Sequence, residues 1–141
     1  MNRDFTTKEA SVGLQVMVSR IAAHTRPAAN LKRSFIVNDV PSAILVCTDK
    51  HIPTAIFGSL LNTVIRHTDN CCIRISAKLQ GNVVLANLKE SYAASGHTFM
   101  GNIRQTQQLT EKIGGSVSIC DQKAGETSII IKFINHLPFT A

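Results

Sequence analysis

Histidine and cysteine are the side chains best able to hold a metal or act as nucleophiles, and the chain has five of one and four of the other. Neither set falls into a working pattern. Cys47, Cys71, Cys72 and Cys120 show no metal or redox spacing. Cys71 and Cys72 are adjacent in a strand-like run, so their side chains are expected on opposite faces. All four lie in apolar segments, where a reduced thiol packs as a small hydrophobe. His51, His67, His97 and His136 lack metal spacing too. No Ser/His/Asp array and no pair of carboxylates can be assembled, so no catalytic residue is assigned. What remains is a polar edge on a helix, Ser59, Asn62, Thr63 and Arg66, and a carboxylate, Glu90, at a strand end. Taken alone, these read as an ordinary helix edge and a surface acid.

Charge narrows the partners. The net charge is +6. Residues 1–50 carry 7 basic and 4 acidic side chains, and residues 51–141 carry 8 and 5, so each part contributes +3. Lys32-Arg33 is the one adjacent basic pair, and aromatic residues are 5% of the chain. Nucleic-acid binders concentrate charge on one face and interleave stacking rings, so no nucleic-acid partner is expected. No apolar run reaches the ~18 to 20 residues of a membrane span. Met1 to Phe5 lack the apolar core of a secretion signal. A cytoplasmic protein with reduced thiols and no membrane partner is the expectation. At 141 residues, 44% of them hydrophobic, one domain over 1–141 is expected.

The elements that would position those residues follow from periodicity. Thr6 to Ala23 reads as a helix, capped by Thr6 or Thr7, with Leu14, Met17, Val18 and Ile21 as its apolar stripe and Pro27 beyond its end. Leu31 to Val37 reads as a strand, Asn38 to Pro41 as a turn, and Ala43 to Cys47 as a second extended piece. A second helix opens at Thr48-Asp49 and buries Ile52, Ile56, Phe57, Leu60, Leu61, Val64 and Ile65. Cys71–Leu79 and Val83–Leu88 form a hairpin about Gln80-Gly81-Asn82. Tyr92 to Gly101 reads as a loop. Ile103 to Ile113 is helical and stops at Gly114-Gly115, since glycine enters left-handed backbone space at little steric cost. Strands at Ser116–Cys120 and Thr127–Phe133 close the chain. The expected fold is an α/β two-layer sandwich. Helices at about 6–25, 50–67 and 102–113 cover one face of a mixed, mainly antiparallel sheet.

Helix, Gly114-Gly115, strand, turn and Thr-led strand together resemble the closing segment of the ATPase domain of sensor histidine kinases, of the gyrase/histidine-kinase (GHKL) superfamily with the Bergerat fold. The order of elements resembles that domain along nearly the whole chain. Arg26-Pro27-Ala28-Ala29-Asn30-Leu31-Lys32 looks like its lead-in to the first strand, and Asp39-Val40-Pro41 with Thr48-Asp49-Lys50 like the approach to its nucleotide helix. The resemblance implies a site. On Leu60 to Thr68, the magnesium-holding Asn of the family falls on Thr63, with Asn62 one position early; one residue is ~100° of rotation on a helix. Ser59 replaces another polar site residue. Glu90 stands where the family has the Asp that accepts from the adenine amino group, and Tyr92 lies where a glycine would follow. Met100 and Gly101 fall on the phosphate-cradling Gly-x-Gly, and Thr127 on the Thr that supports the adenine acid. His24-Thr-Arg-Pro27 is similar to the family's phospho-acceptor motif but lacks its acidic neighbour, so autophosphorylation there is not expected.

The scaffold motifs are present and the nucleotide motifs are altered together. The resemblance therefore implies a degenerate ATPase-like domain that acts in signal transduction through protein contacts, with a kinase or response regulator as the kind of partner. On this reading ATP binding is weak or lost and no cofactor is needed. The alternative is a functional ATP-binding domain of a split histidine kinase or serine-kinase-like regulator. Its reduced site would use Glu90, Asn62 or Thr63, and Thr127, with ATP and magnesium, the metal on Asn62 or Thr63. A third reading, a small basic adaptor unrelated to the superfamily, predicts a different strand order. In the first reading Phe99 or Met100 folds into the space for phosphates.

Overall fold

The computed structural model describes residues 12–46, 51–66, 69–91, 104–123 and 126–134. In chain order the elements are β1 (Val12–Gly13), α1 (Leu14–Leu31), β2 (Phe35–Asn38), β3 (Leu45–Val46) and α2 (His51–Arg66). There follow β4 (Cys72–Gln80), β5 (Val83–Ser91), α3 (Arg104–Glu111), β6 (Ser116–Lys123) and β7 (Glu126–Ile134). Five strands make one sheet in the order β2-β4-β5-β7-β6. β2 runs parallel to β4, and every other pair is antiparallel. This is the expected mixed sheet in an α/β sandwich.

Alternation decides which face is dry. Along β5, Val84, Ala86, Leu88 and Glu90 are buried, while Val83, Leu85, Asn87 and Lys89 on the opposite face are half-buried. Ile73 and Ile75 of β4 and Ile129, Ile131 and Phe133 of β7 extend the same inner surface. Leu14, Met17, Val18 and Ile21 of α1 and Ile56, Phe57, Leu60, Leu61, Val64 and Ile65 of α2 join the same core. The broad α2 stripe follows from its composition, as expected from sequence.

Three features differ from the sequence reading. First, Val12 and Gly13 are extended and α1 starts at Leu14, with Gly13 as N-cap and no side-chain cap bond. The expected Thr6 and Thr7 caps lie outside the described residues. Second, α1 runs through Pro27 to Leu31. A proline in a helix removes one backbone bond but need not end it. Here Ala29 is 1% exposed, and its carbonyl accepts from Lys32 N at 3.0 Å and Ser34 N at 2.9 Å. Third, β3 pairs with β1 in a separate two-stranded sheet, with Val12 opposite Val46. Leu14 N donates to Ile44 O at 3.0 Å, tying that sheet to α1.

The turn after β2 is built from its own side chains. Asn38 Oδ1 accepts from Val40 N at 3.1 Å, while Asn38 Nδ2 donates to Gln15 O at 3.0 Å and Ser19 Oγ at 2.9 Å. One amide thus closes an Asx turn and pins it to α1. Ser34, 3% exposed, accepts from Cys71 N at 3.1 Å and donates to Lys32 O at 3.2 Å. These bonds bring β2 alongside β4.

The Gly pair does two jobs. Gly114 has φ +74°, the left-handed turn that leads out of α3. Gly115 is needed for space: a Cβ there would overlap the Lys132 carbonyl oxygen and lie 2.8 Å from Phe133 Cα. In α2, by contrast, a Cβ on Gly58 would meet nothing within 4 Å. Gly115→Ala is therefore expected to cost at least about 2 kcal/mol, and Gly58→Ala to add roughly 0.5–1 kcal/mol by helix propensity. Urea unfolding of the two variants checks both signs. Equal effects would mean that β7 yields freely at Gly115.

Candidate functional site

Two groups of polar side chains sit where the sequence places a site. The first is on α2. Ser59 Oγ lies 3.1 Å from Thr106 Oγ1 on α3, so the two hydroxyls share a hydrogen bond between the helices. Thr106 is 1% exposed, and Thr110 beneath it donates its Oγ1 proton to Thr106 O at 2.6 Å. Asn62 is exposed and Thr63 half-buried, as ~100° of helical rotation requires. Arg66 is exposed at the end of α2, where its carbonyl accepts from Lys32 Nζ at 3.2 Å.

The second group surrounds Glu90. It stands on β5 between Ile73 of β4 and Thr127 of β7. Glu90 is 1% exposed and shares the dry face with Leu88. It is not a surface carboxylate. Neither Oε1 nor Oε2 has a hydrogen-bond partner among the described residues. Burial pushes its pKa up from 4.5 to about 7, because charge is costly where water is excluded. The nearby Cys71 thiol opposes that shift. Cys71 donates to Asp69 O at 3.3 Å, and burial raises its own pKa. Cys71 is buried and Cys72 half-buried, as their opposite faces predict.

The structure thus joins Ser59 to α3 and Glu90 to the Thr127 position. No hydrogen bond connects Glu90 to the polar edge of α2 among the described residues. Tyr92, Met100 and Gly101, and with them the expected inward fold of Phe99 or Met100, lie outside the described residues. Thr106 and Cys71 were not singled out from sequence. Thr106 gives no signal there, since a threonine in a helix is commonplace. The burial of Glu90 was readable from its parity with Val84, Ala86 and Leu88.

A buried carboxylate with no hydrogen-bond partner at normal geometry among the described residues is an acceptor that a donor on a ligand would suit. For magnesium, the amide oxygen belongs to an exposed residue and the Ser59 hydroxyl is already engaged. Among the described residues no three His, Cys, Asp or Glu side chains form a metal cluster.

No protein-family model and no curated protein matches the chain. Solved structures do match in fold. The Acinetobacter baumannii histidine kinase AdeS matches with a TM-score of 0.77 at 11% identity, over 89% of this chain and 66% of that one. The catalytic domain of histidine kinase ThkA matches at 0.72 and 11%, over 89% and 94%. ThkA in complex with the response regulator protein TrrA matches at 0.74 and 11%, over 91% of this chain and 42% of that one. This chain therefore has the fold of a histidine-kinase ATPase domain and spans under half of the ThkA chain in that complex. The different strand order of an unrelated adaptor is not observed.

An acid whose folded pKa lies above its unfolded value holds its proton more tightly when folded. Its contribution to stability is full below about 4.5 and is lost as pH rises through about 7. The loss above that range is on the order of 3 kcal/mol. Unfolding free energy should fall between about pH 5 and about pH 8, and Glu90→Gln should flatten that fall. Chemical denaturation of both proteins across the range measures it; an unchanged slope in the Gln variant would place the titration elsewhere.

Proposed function

We propose that this histidine-kinase ATPase fold serves signal transduction through protein contacts, with ATP binding weak or lost. The observation that carries the reading is the Ser59–Thr106 bond. A hydroxyl that the resemblance places at a polar position of the nucleotide site instead fastens α2 to α3 at 3.1 Å. The helix edge that would carry a metal offers an exposed Asn62 and a half-buried Thr63 in place of the expected asparagine. Folding needs the apolar stripes and the Gly pair, and both are in place.

A neighbour in fold supports a partner class. ThkA is seen with a response regulator protein, and a response regulator or a kinase is the partner proposed for this chain. An ATP-dependent protein kinase would need a phosphate site, and the positions that the resemblance gives it, Met100 and Gly101, lie outside the described residues.

A second reading, a working ATP-binding domain with a reduced site, is favoured by one observation. Glu90 keeps an unpartnered carboxylate where the resemblance places the contact to the adenine amino group. Protonation turns one oxygen into a donor and leaves the other a weaker, uncharged acceptor, so base recognition at Glu90 would weaken as pH falls through about 7.

Isothermal titration separates the two. With ATP and magnesium, the dissociation constant is expected to lie above about 1 mM, which corresponds to about −4 kcal/mol or weaker. Micromolar affinity that Glu90→Gln abolishes would replace the first reading with the second.

A further inference from the structure

Away from Ser59 and Glu90, α1 and α2 enclose a half-open cleft of about 420 Å³. That lies within the roughly 300–1,000 Å³ of small-ligand sites. Its floor is apolar: Met17 and Ile21 of α1 are buried and Val12 of β1 is half-buried. Its rim is cationic and donor-rich. Arg20 and His24 project from α1, one turn apart, and His51 and Thr54 from the first turn of α2. All four are exposed. None of the described residues lining the cleft is acidic.

We infer that this cleft is a binding site for a small amphipathic anion, a carboxylate or phosphate group joined to a short apolar chain. The spacing of the α1 residues supports it. Met17, Arg20, Ile21 and His24 follow the i, i+3, i+4, i+7 pattern of a single helix face. That face therefore presents an apolar floor and a cationic edge to the same space. A guanidinium offers a planar, permanently charged fork that matches carboxylate and phosphate oxygens, and the His24 imidazole adds a donor. Arg20 is the one Lys or Arg among the described lining residues, so the charge of the rim rests on it.

Size favours a small ligand over a protein helix. An amphipathic helix is read through anchors along several turns, whereas this cleft takes one turn of α2 and two of α1. It is also distinct from the site on the α3 side of α2. His51 and Asn62 are eleven residues apart, on the order of 16 Å along the helix.

The test uses the full chain, with octanoate, octyl phosphate and uncharged 1-octanol as probes, followed by two-dimensional NMR. Both anions are expected to shift the Met17 and Ile21 methyls and the His24 and His51 rings. They should bind at least fivefold more tightly than octanol, and the tighter of the two identifies the headgroup. Arg20→Gln, at an exposed position that the core does not use, should weaken the anions at least fivefold and leave octanol unchanged. The spectrum of the variant reports whether it folds, and Arg20→Lys should restore part of the affinity. Equal binding of octanol would overturn the site. So would shifts centred on the exposed Leu31, Phe35 or Leu79, or anion affinity indifferent to Arg20→Gln.

Discussion

Exclusion of water from one face of the five-stranded sheet governs the rest of the molecule. β5 is its middle strand, bonded to β4 on one side and β7 on the other. Its inner residues therefore have no route to solvent except through the helices. Val84, Ala86 and Leu88 suit that environment, and Glu90 is the one charged residue fully buried among those described. An isolated carboxylate at such a place neutralises sooner than it stays ionised. The shift of Glu90 toward neutrality is thus a consequence of where β5 sits. A surface acid at the same sequence distance from the turn would titrate normally.

The three helices that dry this face also decide what can be done above it. α2 packs against both neighbouring helices. Toward α3 it is bonded through the Ser59 and Thr106 hydroxyls. Toward α1 a cleft remains beside its first turn, between exposed polar ends. That cleft lies away from the residues that the family resemblance assigns to nucleotide.

How much of this was legible in the sequence depended on whether a residue's neighbours carry a period. The α2 stripe, the Val83 strand and the Gly114-Gly115 stop were readable because burial or backbone geometry repeats or is forced locally. Leu31 to Val37 was misread because its apolar residues serve two elements: Leu31 ends α1, 86% exposed, and the strand starts at Phe35. β1 and β3 are two residues each, too short for any alternation to register. Pro27 misled because its usual effect on helices was outweighed by the bonds that gather on Ala29. The tertiary neighbours of Ser59 and Glu90 carried no signal in the sequence. Cys71 reaches Glu90, and Thr106 reaches Ser59, through tertiary packing across 19 and 47 positions of sequence.

That asymmetry explains how a fold can persist while a site changes. The stripes, turns and close approaches that make the sandwich are many and redundant; the approach of Gly115 to β7 is one of the few places where a single atom matters. A ligand site uses few residues, each with a particular group at a particular angle. Moving an amide one position along α2, from Thr63 to Asn62, turns it to solvent and leaves the packing of Leu60, Leu61 and Val64 untouched. The helix loses nothing in stability by that change. Fold similarity at 11% identity is therefore compatible with any chemistry the individual side chains support.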